Sequence, residues 1–374
     1  MFRFLHTSDL HLGKRFGNMP EDLRGRLREA RHAAIRRLAD CARSHGAGTI
    51  LIAGDTFDTE TPTPDIRRQA LAEMGHHAPL RWIILPGNHD SLQAAQLWSM
   101  LRGEAPANVV LATEPAPIAL APDVLLLPAP CTTRHPGRDL TEWMGGAATP
   151  EGALRIGLAH GAIQTFSESA TTTDVIAPDR AARSGLDYLA LGDWHGTLAV
   201  DPRTHYSGAP EPDRFKHDRP GQALLVSLAG PGAPPEVTAV ATGAFAWRTA
   251  PLHLLSGNDA ASLFAGLLPA ASERRQTLLR IAASGRVRLA ERSALTAAID
   301  HAAPEFAFLE LDAGGLVTDC DAADLDLIDR AGALRDAAEA LLAESRDDAR
   351  PEAEREIARA ALMRLFSYCQ KAAS

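Results

Sequence analysis

The sequence predicts an α/β fold, and two observations carry that prediction. Short apolar runs alternate with polar turns and helical stretches through the first half of the chain. Five polar islands then sit at the ends of such runs: D-L-H at Asp9 to His11, G-D-T-F-D from Gly54, G-N-H-D from Gly87, H-G at His160 and G-D-W-H from Gly192. Strand ends are where α/β folds place their functional groups.

Phe2 to Leu5 reads as the first strand, with D-L-H-L-G at its carboxyl end. Leu23 to Arg43 has helical spacing, with apolar residues at Leu27, Ala30, Ala34 and Leu38. The run T-I-L-I-A ending at Ala53 is a short buried strand leading directly into Gly54-Asp55, and Pro64 to Met74 reads as a second helix. Trp82 to Leu85 is again a strand, closed by Pro86-Gly87, and further strands are expected near Val124 to Leu127, Arg155 to Ala159 and Tyr188 to Leu191. From Tyr206 to about Trp247 the short runs A-L-L-V-S-L and E-V-T-A-V-A are separated by Gly and Pro, the pattern of an antiparallel closure. Within it, the Pro-Gly-Ala-Pro-Pro stretch at 231 to 235 reads as a hairpin or loop rather than a linker.

A second, small α/β unit is expected from about Pro251, with strands at Thr277 to Ala282 and Glu305 to Leu311. The tail from Leu325 is helical. Ile357, Ala361 and Leu365 share one face of its last helix, Leu362 and Phe366 widen the stripe, and Pro351 suits the helix start. Such a stripe is expected to pack on its own domain.

A length of 374 residues with 45% apolar content suits two domains with a sizeable core. The net charge of −9 excludes a blanket attraction to DNA or to acidic membranes. Charge is uneven, however: eight Lys or Arg stand against three acids between Lys14 and Arg37, leaving either a local phosphate-attracting surface or the wet face of a helix. Cys41, Cys131, Cys320 and Cys369 are widely spaced and form no C-x-x-C unit, which suits a reduced compartment. No apolar signal precedes the first strand and no run is long enough to span a bilayer, so the expectation is a soluble cytoplasmic protein without a membrane partner.

The islands offer carboxylate, amide and imidazole groups, a donor set for a pair of hard or borderline cations. Asp9 and His11, two apart, point into one site if the chain stays extended. Asp55 can span two ions with its two oxygens, and its glycine neighbour permits close backbone approach. Asn88 offers a neutral carbonyl, His160 and His195 imidazoles, and Asp193 a further carboxylate, while His89 points elsewhere and can reach substrate. Asp58 is expected to hold its loop or orient a ligand, and Asp90 to orient His89 or cap its turn as part of the catalytic group. Taken singly these motifs are weak, since Gly, Asn and Asp are ordinary turn formers. Their recurrence at five strand ends is what gives them weight.

Over roughly residues 2 to 215 the motifs resemble the calcineurin-like metallophosphoesterases. F-x-H-T-S-D-L-H-L-G, G-D-x-F-D, G-N-H-D, Y-x-A-L-G-x-x-H and the segment from Ser207 to Phe215 look most like bacterial SbcD-type DNA-repair nucleases. The resemblance implies a four-layer α/β/β/α sandwich over residues 1–248, a small α/β capping domain over 249–324 and a helical extension over 325–374. It implies two divalent metal ions, with Mn²⁺ the expected metal. Asp9, His11, Asp55 and His195 would ligate the first, and Asp55, Asn88, His160 and Asp193 the second. His89 matches the histidine directed at the scissile phosphate. Asp193 departs from the pattern, which has G-H-x-H there, and a carboxylate favours harder ions.

The resemblance further implies a hydrolase cutting DNA as an exonuclease or endonuclease in repair, with Arg15, Arg24, Arg26 and Arg28 as the expected backbone-phosphate contacts. It also implies a homodimer and an SbcC-type SMC-like ATPase docked on the C-terminal helical region. Two rival readings share parts of this sequence: a small-molecule phosphodiesterase or phosphatase using the same metal site, and a non-catalytic binding scaffold for such an ATPase.

Overall fold

The computed structural model describes residues 1–163, 175–216, 220–319, 322–326, 328–329 and 331–373. It divides into two compact units, Met1–Trp247 and Arg248–Ser374.

In the first unit β1 (Phe2–Thr7), β2 (Thr49–Ile52), β3 (Arg81–Ile84) and β4 (Val109–Leu111) run parallel, linked by α1 (Glu21–Ser44), α2 (Pro64–His76) and α3 (Ala95–Glu104). A second sheet follows from β5 (Ile118–Ala121), β6 (Val124–Ala129), β7 (Leu154–His160), β8 (Tyr188–Gly192), β9 (Leu198–Asp201) and β10 (Thr204–Tyr206), with the one-turn α4 (Arg180–Arg183) before β8. Its order is β5-β6-β7-β8-β10-β9, with β6, β7 and β8 parallel. The chain then returns through β11 (Gln222–Leu228), antiparallel to β1, and β12 (Glu236–Ala241), which completes the first sheet as β12-β11-β1-β2-β3-β4. Residues 231 to 235 lie in the hairpin joining these last two strands.

The period-two geometry of a strand sorts the side chains into layers. Phe4, Leu51, Ile83 and Leu85 from the first sheet meet Leu126, Leu158, Tyr188 and Ala190 from the second, forming the core between the sheets. Their chain neighbours Leu5, Ile50, Ile52, Trp82 and Ile84 face Ile35, Leu38, Leu71 and Trp98 of α1, α2 and α3. On the far side Leu127, Ala159, Leu189 and Leu191 pack against Met144, Ala181 and Leu186. The unit is thus a four-layer α/β/β/α sandwich. Strands buried on both faces explain why these runs are continuously apolar.

His6 carries a polar tie across the inter-sheet core. His6 of β1 places Nε2 3.2 Å from the Leu191 carbonyl and Nδ1 3.0 Å from the Tyr188 hydroxyl, both on β8. The carbonyl only accepts, so Nε2 carries the proton and Tyr188 donates to Nδ1. Burial, with His205 adding to it, lowers the His6 imidazole to about 3.

The second unit holds β13 (Ala246–Leu254), which starts at the boundary, then α5 (Ala260–Ala265), α6 (Ala271–Arg274), β14 (Thr277–Arg288), α7 (Leu289–Ala302), β15 (Phe308–Asp319), α8 (Ala322–Asp326), α9 (Ala333–Arg346) and α10 (Glu352–Ala373). Its three-stranded sheet runs β13-β14-β15, with β14 and β15 parallel. Both strands extend well beyond the apolar runs that marked them in sequence. Gly285, at φ +102°, interrupts the pattern because a Cβ there would fall 2.1 Å from the Leu254 carbonyl oxygen. On α10 the packed stripe is Ala358, Leu362 and Phe366, one residue away from the expected 357/361/365 face, and Ile357 is exposed. One residue is 100° of helix, enough to turn the stripe toward Leu289 and Ala338, its partners in that core.

Cys41, Cys131 and Cys369 are free thiols, and Cys320 lies outside the described residues. Among the described residues no helix is long and apolar enough to cross a membrane.

The neutral, buried His6 ring makes a pH prediction. With its folded value near 3 and an ordinary value of 6.5, the unfolded chain binds the proton first as pH falls. Its contribution to stability is therefore full above about pH 6.5 and declines toward pH 3. Urea unfolding of wild type and His6→Gln should show wild type losing about 2 kcal/mol more than the variant between pH 7 and pH 5. Parallel stability profiles would overturn this assignment.

Candidate metal centre

The loops that follow β1, β2, β3, β7 and β8 converge, and backbone contacts lock them together. Asp9 N donates to Gly54 O (3.1 Å), His11 N to Asp55 O (2.9 Å) and Leu12 N to Thr56 O (2.9 Å), zipping the first island to the second. His89 N donates to Asp55 Oδ1 (2.9 Å), bringing in the third. Gly87 must lack a side chain, because a Cβ would stand 2.1 Å from Asp55 Oδ1. Asp9, His11, Asp55 and Asp193 all adopt positive φ, at 55°, 42°, 53° and 97°. Such a conformation costs about 1–2 kcal/mol per non-glycine residue. Strain of this kind persists where surrounding contacts over-determine the backbone, characteristically at functional sites.

The side chains then meet in one space, buried at Asp9, His11, Asp55 and His160 and half-buried at Asn88, Asp193 and His195. His11 Nε2 and His195 Nε2 are 3.3 Å apart, and each lies near Asp9 Oδ1, at 3.8 and 3.9 Å. Asp55 Oδ2 stands 3.5 Å from His11 Nε2 and 3.5 Å from His160 Nε2, between the two groups. His160 Nε2 is also 3.8 Å from Asp193 Oδ1, which accepts a hydrogen bond from Asn88 Nδ2 (3.0 Å). Ligand-capable atoms of Asp9, His11 and His195 lie within 4.8 Å of one another, as do those of Asp9, Asp55 and His160.

Asp9 Oδ1, Asn88 Oδ1 and His160 Nε2 are buried without a hydrogen-bond partner. Orphaned polar atoms of this kind are costly in a packed interior. Three carboxylates, three imidazoles and an amide carbonyl form a donor set that fits hard or borderline divalent cations. The residues present therefore fit such ions.

The electrostatics show how tightly charge is packed. Burial pushes the Asp55 carboxyl well above the usual range, with His160 opposing and Asp90 and Asp9 adding to the rise. Burial would also raise Asp9, but the His195, His160 and His11 imidazoles outweigh it and hold it low. Burial would depress His160, yet Asp55, Asp9 and Asp193 raise it to about 9. His11 follows burial and falls to about 4.

His89 stands beside this cluster. Its Nδ1 is 2.9 Å from the Asp58 carbonyl oxygen, and its ring meets that of His11 edge-on, centroids 4.8 Å apart. Asp58 Oδ1 lies 3.2 Å from His11 Nδ1. Asp90 is placed differently from a group that orients His89. Its carboxylate is fully buried and taken up by backbone amides, Gly87 N at 2.7 Å and Phe57 N at 3.0 Å. It clamps the third island onto the second, which makes it a turn cap rather than a reacting group. Arg15, Arg26 and Arg28 are exposed. Arg24 instead turns back on its own loop, donating to Met19 O (2.7 Å) and Gly17 O (3.0 Å).

Sequence reasoning missed three contributors. Ser8 Oγ donates to Asp9 Oδ2 (2.5 Å), which fixes that carboxylate with Oδ1 inward. Asp213 is buried and sits 3.2 Å from His195 Nδ1, and Lys14 Nζ reaches Asp213 Oδ2 at 2.9 Å. Burial would raise Asp213, but His195, Arg31 and Arg214 hold it far below the usual carboxylate range. It lies in the Ser207 to Phe215 segment, where only the segment as a whole, not the residue, carried a signal.

A model of the calcineurin-like phosphoesterase family matches residues 2–227. The metallophosphoesterase YhaO of Bacillus subtilis (strain 168) is 24% identical over 199 residues, which is 51% of this chain and 48% of YhaO. The D component of the nuclease SbcCD of Escherichia coli (strain K12) is 38% identical over 98 residues, 24% of this chain and 22% of that protein. The chain thus spans less than half the length of these curated relatives. Among solved structures, TT1561 of Thermus thermophilus aligns with 64% of this chain and 98% of its own, at 10% identity and a TM-score of 0.38. With the family model spanning more than half of its length, the chain belongs to the calcineurin-like phosphoesterase family.

Proposed function

We propose that this chain is a binuclear, metal-dependent DNA phosphodiesterase with Mn²⁺ as its metal. The observation that carries the two-ion reading is Asp55 Oδ2, placed 3.5 Å from imidazole nitrogens of two separate ligand groups. Asp9, His11, Asp55 and His195 would hold one ion, and Asp55, Asn88, His160 and Asp193 the other. When bound, such a pair supplies an activated water and neutralises charge on the transferring phosphoryl group. The DNA reading is supported by the similarity to part of the nuclease SbcCD and by exposed Arg15 on the first loop and Arg26 and Arg28 on α1. These side chains suit sequence-independent contact with backbone phosphates. Docking of an SMC-like ATPase on the C-terminal helices belongs to the same reading, and exposed Ile357 and Tyr368 on α10 support it.

The protein groups divide the remaining work. Asp9, Asp55 and Asp193 concentrate negative charge that would repel a phosphodiester, so their first task is to hold cations. The rigid loops orient the scissile bond for in-line attack. His89 handles the leaving oxygen. Its Nδ1 donates to the Asp58 carbonyl, so Nε2 is the ring nitrogen left to serve that oxygen.

Three outcomes test this reading. Chelated protein should cleave neither single-stranded DNA nor duplex ends, and Mn²⁺ should restore cleavage; cutting of an aryl phosphodiester alone would favour a small-molecule enzyme. His89→Ala should bind Mn²⁺ as wild type does and lose roughly 10²–10⁴-fold in kcat; equal loss of binding and turnover would sink its assignment. Asp193→His should shift preference from Mn²⁺ toward softer Zn²⁺ in competition binding, because imidazole is the softer ligand. An unchanged preference would remove Asp193 from the second site.

A further inference from the structure

The two imidazoles of the first ligand group each have a carboxylate behind them, hydrogen-bonded at His195 and at ion-pair distance, outside hydrogen-bond geometry, at His11. His11 and His195 present Nε2 to a common space, and each turns Nδ1 to a carboxylate, Asp58 Oδ1 at 3.2 Å and Asp213 Oδ1 at 3.2 Å. A carboxylate only accepts, so a neutral ring facing it carries its proton on Nδ1 and leaves the Nε2 lone pair for a cation. One ammonium group serves both carboxylates. Lys14 Nζ is 3.8 Å from Asp58 Oδ1 and 2.9 Å from Asp213 Oδ2. Lys14 reaches that point because Gly13, at φ +94°, turns the chain just after the first island, and Lys14 N donates to His11 O (3.2 Å).

The two carboxylates differ in what else holds them. Asp213 is nearly inaccessible and also meets Arg31 (3.6 Å) and Arg214 (2.9 Å). Asp58 is 21% exposed, and its carboxylate pairs with His11 and Lys14. Removing Lys14 would leave Asp213 anchored by two guanidinium groups. Asp58 would keep the imidazole alone, in competition with water.

We propose that Lys14 is a positioning residue that, through Asp58, fixes the ring orientation and Nδ1–H tautomer of His11 and thereby sets how strongly that imidazole binds the first ion. The proposal rests on the two-ion reading and adds a consequence specific to one of its two imidazoles. The effect is asymmetric: His11 depends on Lys14, and His195 does not.

The test uses the full chain as wild type, Lys14→Met, Lys14→Arg, Asp58→Asn and the Lys14→Met/Asp58→Asn double variant. Mn²⁺ affinity is read from the electron paramagnetic resonance of free ion. Ring tautomers are read from long-range ¹H–¹⁵N spectra of the metal-free protein. Lys14→Met should bind Mn²⁺ roughly 10–100-fold more weakly and show mixed tautomers at His11, with His195 unchanged. Lys14→Arg should restore both readouts, and the double variant should be no worse than Asp58→Asn, since both substitutions break one linkage. Unchanged Mn²⁺ affinity and tautomers in Lys14→Met would overturn the proposal. A defect confined to KM for DNA would do the same, because Lys14 would then be a phosphate contact. Wild type that binds no Mn²⁺ would overturn the two-ion reading and this proposal with it.

Discussion

The site depends on the burial of one carboxylate, that of Asp55. Its backbone oxygen receives His11 N, its Oδ1 receives His89 N, and its Oδ2 stands between the His11 and His160 rings. Gly87 is pressed against it closely enough to exclude a Cβ. Residues after two other strands of the first sheet and at the end of one strand of the second are therefore positioned against this one residue. Without that side chain, the backbone zip of the first island to the second and the Asp90 clamp would remain, but the contacts to His89 N and the His160 ring would be lost.

Holding so many acids in one interior is unfavourable, and the chain offsets the cost locally. Asp90 is surrounded by backbone amides from two loops. Asp213 is gripped by Lys14, Arg31 and Arg214. Asp9 is fixed on one side by Ser8 and by Asp193 N, which leaves the other oxygen directed into the site. The four residues at positive φ carry the backbone half of the same cost. Carboxylates that serve structure are saturated with donors, whereas Asp9 keeps an orphaned Oδ1 available to a ligand.

Much of this was legible in the sequence for a local reason. Strand, glycine turn and acid lie within a few residues of each other, so Asp9, Asp55, Asn88, His160 and His195 could be placed at strand ends without knowing the fold. Asp213 could not, because its meaning comes from Lys14 and Arg31, which are remote in sequence and reach it only after the chain folds. Arg24 carried the opposite lesson: a charge among other charges looked available, but nearby loop carbonyls capture it. Helix faces were less secure than helices. On α10 a shift of one position in the buried stripe exposed Ile357, since alanine at 358 gives almost no hydrophobic signal of its own.

The donor atoms come from both sheets, Asp9, His11, Asp55 and Asn88 from one and His160, Asp193 and His195 from the other. The spacing between the two groups is consequently a property of the layer that separates the sheets, with its apolar side chains and the His6 tie. That layer acts as a ruler for the chemistry above it. A change of one methylene at Leu126 or Ile83 touches no ligand but alters the gauge against which all ligands are set, because interiors packed like crystals transmit small volume changes. The interior of this fold is therefore a place where metal preference can drift while every ligand stays the same.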